Sequence, residues 1–406
     1  MKIKSVKGTR DYLPQEAELR ESIQQTISEI YRENGFSRIM TPAIEDIENL
    51  DKSDGGDNLN LIFKILKRGD KLQKALENGD EKELCDMGLR YDLTLPLTRY
   101  FAANRQSLPM PFKAIQMDKV YRAENPQKGR LREFMQCDID VIGDSGPECE
   151  IELIAVTAKA LKALDIGGFT VRVNDRAVLN AMLSALGFPE EELATVCVSF
   201  DKLDKIGAEG VAAELAEKGF GKPADKLSEV LSQLPLTIEK ITEIVGEEKT
   251  ARLSKIIADS KAIANGSYGV EFDISLVRGQ GYYTGTVFEV RSENFGSSVA
   301  GGGRYDKLIG KFIGEEIPAC GFSIGFERIF SILAEQNRAS SAKKKLAAFY
   351  EDNFMEVYAK AEELRGEYDV SIFKKPKKLG AFLNKLQAGG FVGFAYPDGN
   401  IKMFDD

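Results

Sequence analysis

Leu19, Ile23, Ile27 and Ile30 recur at intervals of four, four and three residues, the spacing that lines one face of an α-helix. Pro14 suits a first helical turn and Asn34-Gly35 a stop, so the pattern predicts a helix over Pro14–Tyr31. The period then changes. "FSRIMTPAIEDIENL" alternates as a strand that Thr41-Pro42 breaks or places at a sheet edge. "FKAIQMDKVYRAE", "REFMQCDIDVIG", "GVEFDISLVRGQ" and "TVFEVRS" also read as strands, and "LRYDLTLPLTRY" as a strand with Asp92 and Thr94 on one side. Several connections are short, which favours an antiparallel sheet over alternating βαβ units.

Between about 175 and 262 the helical period returns, with Leu179, Met182, Leu183 and Leu186 on one face of "RAVLNAMLSALGF" and a break at "EKGFGKPAD". This segment is either a helical module inserted between two sheet-rich parts or a set of helices packed on the sheet. "EQNRASSAKKK" reads as a linker. Beyond it follow a strand (Leu346–Tyr350), a helix (Phe354–Leu364), a strand (Tyr368–Phe373), a helix (Leu379–Leu386) and two short strands, a small α/β domain. The expected division is therefore 1–170, 171–262, 263–334 and 343–406, in an α+β fold.

Composition narrows the chemistry. With 43% hydrophobic and 29% charged residues in 406, the chain has the balance of a soluble globular protein of two or three domains. No apolar run reaches the length of a membrane span, and "MKIKSVKGTRDYLP" lacks an apolar signal core. Both point to the cytoplasm. Five scattered cysteines show no metal-ligand spacing and read as buried free thiols. Histidine and tryptophan are absent, which removes Ser-His and Cys-His nucleophiles and the usual imidazole base. Carboxylates, cations and backbone amides remain, and phosphate chemistry needs little more. A net charge of -9 argues against general adhesion to nucleic acid but allows a local basic surface.

Such a concentration occurs in "YRAENPQKGRLREFMQCDID", where Arg122, Lys128, Arg130 and Arg132 surround Gly129. It reads as a nucleotide loop or a solvated basic hairpin. The alternating segment after it puts Phe134, Gln136, Asp138 and Asp140 on one face. Asp92 and Thr94 could bind an ammonium group, or form a charged turn beside core leucines. Arg278 sits among Leu276, Val277 and Gly279, where an unpaired cation is costly, so an anionic partner is expected. "VAGGGRYDKLIG" and "ACGFSIGFERIF" read as glycine-rich entries into helices.

In this order, over nearly the whole chain, the stretches resemble a histidyl-tRNA synthetase of class II. "KGTRDYLP", "GFSRIMTPAIED" with Pro42 and "LRYDLTLPLTRY" match its first part; "YRAENPQKGRLREFMQCDID" resembles the second class II motif and "GFSIGFERI" the third; "RGQGYYTGTVFE" and "GGGRYD" resemble its histidine-specific segments. The resemblance implies an antiparallel sheet flanked by helices, a helical insertion, an anticodon-binding-like C-terminal domain, a homodimer, and the substrates L-histidine, ATP with Mg²⁺ and tRNA(His). It implies that Arg122, Glu124, Arg130, Arg132 and Arg328 bind ATP, and that Arg278 and Arg122 act in catalysis. Histidine would be held by Asp92, Thr94, Gln136, Asp140 and Arg278, with Tyr282, Tyr283 and Tyr305 around its ring. Lys374, Lys375, Lys377 and Lys378 would contact tRNA, unless they form a merely solvated face.

Three departures stand out. Gln280-Gly281 replaces the family's usual Leu-Asp, Asp175 stands where histidine is common, and the C-terminal domain is short. The alternative of another class is the histidine-sensing regulatory subunit of ATP phosphoribosyltransferase, a non-catalytic paralogue that typically lacks the second-motif arginines present here.

Overall fold

The computed structural model describes residues 3–52, 60–79, 81–126, 130–277, 282–293, 295–296, 298–336 and 343–404. Arg278, Gln280 and Gly281 lie outside the described residues, as do Lys128 and Gly129. The chain forms two compact units. One comprises Met1–Arg10 and Gln24–Ile332, the other Asp11–Ile23 and Leu333–Asp406.

The first unit is built on an eight-stranded sheet. Its strands lie in the spatial order Ser37–Arg38, Phe112–Tyr121, Glu133–Ile142, Ala319–Gly325, Ser298–Arg304, Thr286–Ser292, Phe169–Asp175 and Gly269–Phe272. Only the outermost pair at each end is parallel. The long central hairpin pairs Tyr121 with Glu133 and runs unbroken to Phe112 with Ile142. Helix Glu148–Ala163 buries Leu153, Ile154, Leu161 and their neighbours. A smaller sheet of Ile44–Asp46, Cys85–Leu89 and Lys64–Leu66 lies in the same unit.

Local patterning accounts for most of these elements. The first helix spans Pro14–Glu33, and Ile23 and Ile27 are fully buried on its apolar stripe. The proposed strand at "FSRIMTPAIED" is divided around Thr41-Pro42 into Ser37–Arg38 and Ile44–Asp46. Arg90, buried to 2% exposure, fixes that break by donating to the carbonyls of Thr41 (2.7 Å) and Lys119 (2.8 Å) and pairing with Asp118 at 2.8 Å. Leu179, Met182, Leu183 and Leu186 are buried on helix Arg176–Leu186, whose N-terminus is capped by the carboxylate of Asp175.

Four expectations are corrected. Asp92 lies in a loop, and Thr94 opens the helix Thr94–Asn104, rather than both lying on a strand. Pro96 falls in the first turn, where its missing N–H costs no hydrogen bond. The "VAGGGR" glycines form the strand Ser298–Arg304 instead of entering a helix. The strand at "GVEFDISLVRGQ" ends at Phe272, because the amide of Asn174 takes the carbonyls of Ile274 and Leu276 at 3.1 Å each. Among the cysteines, Cys85 is half-buried rather than buried.

The helices between Arg176 and Ala264 lie within the first unit. Residue 171 falls inside the strand Phe169–Asp175, which pairs on both sides. Arg252 from helix Glu247–Ala264 reaches the fully buried Glu150 at 2.9 Å. Arg304 grips the same carboxylate at two points, 2.8 and 2.7 Å. Burial alone would raise the Glu150 carboxyl; the two guanidinium groups hold it below its ordinary value.

In the second unit the strands Tyr368–Lys374, Lys344–Tyr350 and Phe391–Ala395 are parallel, with Ile401–Met403 antiparallel at the edge. Alternation on the central strand separates two cores. Leu346 and Ala348 pack with Val357 and Ala361 of helix Phe354–Leu364, while Ala347 and Phe349 pack with Leu386 of helix Leu379–Ala388.

Candidate active site

The strands Glu133–Ile142, Ala319–Gly325 and Ser298–Arg304 lie side by side, and one face of them lines a cavity of about 360 Å³. The register places Asp140 opposite Gly321, Asp138 opposite Ser323 and Gln136 opposite Gly325. Alternation therefore sends Gln136, Asp138 and Asp140 to one face, and all three reach the cavity. The glycines make room for them. A side chain at Gly321 would collide with Oδ1 of Asp140, and one at Gly303 would come within 2.9 Å of the Tyr283 ring.

Part of the lining is acidic and aromatic. The Tyr305 hydroxyl donates to Oδ1 of Asp140 at 2.6 Å, while Oδ2 is buried without a donor. Burial pushes the Asp140 carboxyl up to about 7; Tyr305 opposes the rise and Asp92 adds to it. Tyr282 packs against Tyr283 and Tyr305, with ring centroids 4.9 and 6.1 Å away. Asp92 accepts from the amide of Leu95 at 3.2 Å through Oδ1, and its Oδ2 is also buried without a donor. Burial raises its carboxyl to about 6, against the pull of the Leu95 amide and Arg122. Oε1 of Gln136 is a third buried acceptor with no donor. All three belong to side chains that line the cavity, where N–H groups would satisfy them.

The same lining carries cations, and Arg122 acts on Asp92. Arg122 donates to the carbonyl of Tyr91 at 2.9 Å and lies 5.1 Å from the Phe134 ring centroid, which leaves part of its guanidinium for the cavity. Arg130 sits 3.5 Å from Glu124, and Arg328 donates to the carbonyl of Ser298. All four of these charged side chains line the cavity, as does Thr94. Arg132 does not. Its Nε donates to the carbonyl of Glu124 at 2.9 Å, and its stem packs on Gly8. The structure thus brings Asp92, Thr94, Arg122, Glu124, Arg130, Gln136, Asp140, Tyr282, Tyr283, Tyr305 and Arg328 around one space. Lys374, Lys375, Lys377 and Lys378 lie in the second unit, exposed.

Sequence reasoning left Ser323 and Asp138 without roles. Ser323 donates a short hydrogen bond to Asp138, and it accepts from Nε2 of Gln136 at 3.4 Å. The alternation signalled Asp138; nothing local signalled Ser323.

A protein-bound metal needs oxygen, nitrogen or sulfur donors held in common. Among the described residues the only clustered set is Cys149, Glu150 and Cys320, and Glu150 is already taken by Arg304 and Arg252. That set does not suit a cation.

Comparison with known proteins places the chain in a family. The family model described as histidyl-tRNA synthetase matches residues 8–329. A histidine–tRNA ligase of Leifsonia xyli subsp. xyli is 43% identical over 411 residues, covering 97% of this chain and 94% of its own. One of Cytophaga hutchinsonii is 36% identical over 405 residues, covering 92% and 87%. The crystal structure of histidyl-tRNA synthetase from Nostoc sp. PCC 7120 superposes with a TM-score of 0.80 at 26% identity, over 97% of this chain and 91% of that one.

Proposed function

The chain belongs to the histidyl-tRNA synthetase family, and on that premise we propose how its cavity activates L-histidine with ATP before the histidyl group passes to tRNA(His). The observation that carries the assignment of roles is the composition of one lining, in which three buried acceptors without donors share the cavity with Arg122, Arg130 and Arg328.

On this reading the α-ammonium of histidine meets Oδ2 of Asp92, Oε1 of Gln136 and the Thr94 hydroxyl. The imidazole lies among Tyr282, Tyr283 and Tyr305 and donates to Oδ2 of Asp140. A ligand without ring N–H groups leaves that oxygen unpaired, at a cost of about 1–3 kcal/mol. Arg122 sits where the substrate carboxylate approaches the α-phosphate. The attack needs two anions brought together in line, and positioned guanidinium groups offset their repulsion. Arg278 shares this work by family resemblance. Arg130 and Arg328 take the outer phosphates, whereas Arg132 shapes the loop through its bond to the Glu124 carbonyl. Mg²⁺ enters as part of the nucleotide substrate, held by its phosphates.

Met40, 77% exposed just after the sheet-edge strand Ser37–Arg38, and Ile44, 50% exposed on an edge strand of the smaller sheet, support a homodimer. Among the described residues no helix is long and apolar enough to cross a membrane, in keeping with a cytoplasmic enzyme.

Histidine-dependent exchange of pyrophosphate into ATP, followed by charging of tRNA(His), tests the reading. The regulatory paralogue supports neither reaction. Absence of both from folded, ATP-binding protein would overturn the assignment.

A further inference from the structure

Asp138, Ser323 and Gln136 form a chain on the floor of the cavity, assembled across two strands. Asp138 and Ser323 are register partners, and Gln136 lies two residues along the same face. Asp138 is only 5% exposed, so its carboxylate is held by protein groups rather than bulk water. Ser323 gives its single O–H to Oδ1 of Asp138. A hydroxyl has one proton and two lone pairs, so what remains of Ser323 can only accept. The group of Gln136 that faces it must therefore be the NH₂, and Nε2 does lie 3.4 Å from Oγ. Oε1 is turned the other way, into a buried position with no donor.

We propose that Asp138 and Ser323 are positioning residues that lock the Gln136 side-chain amide with its oxygen toward the ligand, so that the site demands an α-ammonium group on its amino acid. An amide left free would rotate about its last bond and offer NH₂ or oxygen with similar ease. It could then accommodate a ligand with no amino group by turning a donor inward. With the chain intact, that rotation sets NH₂ against the entering group and oxygen against a serine lone pair, and both contacts are repulsive. The relay thus converts a carboxylate that touches no substrate into selectivity for one functional group of it. Burial, Asp140 and Asp92 push the Asp138 carboxyl well above its ordinary value and Ser323 and Arg122 oppose the rise; an ammonium entering nearby favours the ionised form, in which the Ser323 proton stays committed.

The inference rests on the reading of this part of the cavity as the amino-acid site, and the experiment separates the two. Equilibrium binding of histidine and of imidazolepropionic acid, which lacks only the α-amino group, is measured for the native protein and for Ser323→Ala, Ser323→Thr and Asp138→Asn. The native protein is expected to prefer histidine by at least tenfold. If it shows no preference, the placement of the amino group fails and the relay with it. Ser323→Ala and Asp138→Asn should reduce the preference several-fold by weakening histidine far more than the analogue, with KM for ATP moving less than twofold. Ser323→Thr retains the hydroxyl and should keep the preference, which shows that the variants report on the hydrogen bond and not on general damage. Equal weakening of both ligands in the alanine and asparagine variants, or an unchanged preference, overturns the relay while leaving the site assignment standing.

Discussion

Tyr305 and Asp140, 165 residues apart in sequence, are joined by a 2.6 Å hydrogen bond that satisfies one carboxylate oxygen and leaves the other as a buried acceptor. The bond does two things. It fixes the carboxyl in one orientation, and it favours the ionised form against a burial that pushes the other way. The neighbouring residue Arg304 holds Glu150. One dipeptide thus serves both the cavity lining and the buried ion cluster.

The first prediction follows from that pair. Asp140→Asn keeps the shape but loses the charge-assisted acceptor, so histidine binding should weaken by about tenfold or more while ATP is little affected. Tyr305→Phe should weaken histidine in the same direction but less, because the carboxylate survives. Dissociation constants for both ligands check this. Equal losses for histidine and ATP would make Asp140 a structural residue.

Asp92 and Asp140 also predict a pH dependence. In the unfolded chain both ionise near 3.8, whereas burial holds them protonated up to about 6 and about 7 in the fold. Over that window the folded state binds more protons, so its stability falls as pH rises. The stabilisation is complete below the unfolded value and lost as pH rises through the folded values, about 3 kcal/mol for Asp92 and about 4 kcal/mol for Asp140. The unliganded protein should therefore melt lower at about pH 8 than at about pH 6, and saturating histidine should narrow the gap by supplying a cation in place of the protons. Asp140→Asn should flatten the dependence. Melting curves across this range decide it, and a dependence unchanged in the variant would remove Asp140 as a cause.

Much of the fold is legible in the sequence because its signals are local. The stripe through Ile23 and Ile27 and the alternation from Phe134 to Asp140 report periods that neighbouring residues impose by themselves. The family motifs extend this to most of the residues that line the cavity. What is not legible depends on register between distant segments. Ser323 meets Asp138 across 185 residues, and Arg304 meets Glu150 across 154; no window of sequence contains either pair. Asp92 shows a different limit. "LRYDLTLPLTRY" alternates like a strand, but Pro96 fits a first helical turn equally well, and the Asp92 carboxylate caps the Leu95 amide there. Arg132 shows a third. Its place among cations suggests phosphate, whereas its backbone partners turn it toward Gly8.

The Glu150 cluster yields a stability prediction with the opposite pH sign. Its carboxyl is held below the ordinary value by Arg304 and Arg252, so its contribution is present above the ordinary value and lost as pH falls from there through the lowered one. Glu150→Gln leaves the almost fully buried Arg304 with only the partly exposed Asp306, 3.1 Å away, as counter-charge and should cost about 3 kcal/mol. The same change should shift the acid limb of the stability profile. Urea unfolding of both proteins measures the loss, and a cost below about 1 kcal/mol would show that water or another acid takes over the guanidinium.

The last prediction concerns the second unit, where Lys374, Lys375, Lys377 and Lys378 surround the start of helix Leu379–Ala388. Lys378 is the capping residue and brings no side-chain acceptor to the first free amides. Cations at this end oppose the helix dipole, so the arrangement is mildly unfavourable unless an anion neutralises it. Lys375 already meets Glu351 at 2.5 Å, which holds the Glu351 carboxyl below its ordinary value. The other three are exposed cations suited to a phosphate backbone. Replacing all four lysines with glutamine should raise KM for tRNA(His) several-fold and lower its salt dependence, because fewer counterions are released on binding. Histidine-dependent pyrophosphate exchange should persist, since none of the four lines the cavity. The helix itself should become slightly more stable, which separates a lost contact from unfolding. Charging with native KM and native salt dependence would show that the face is only solvated.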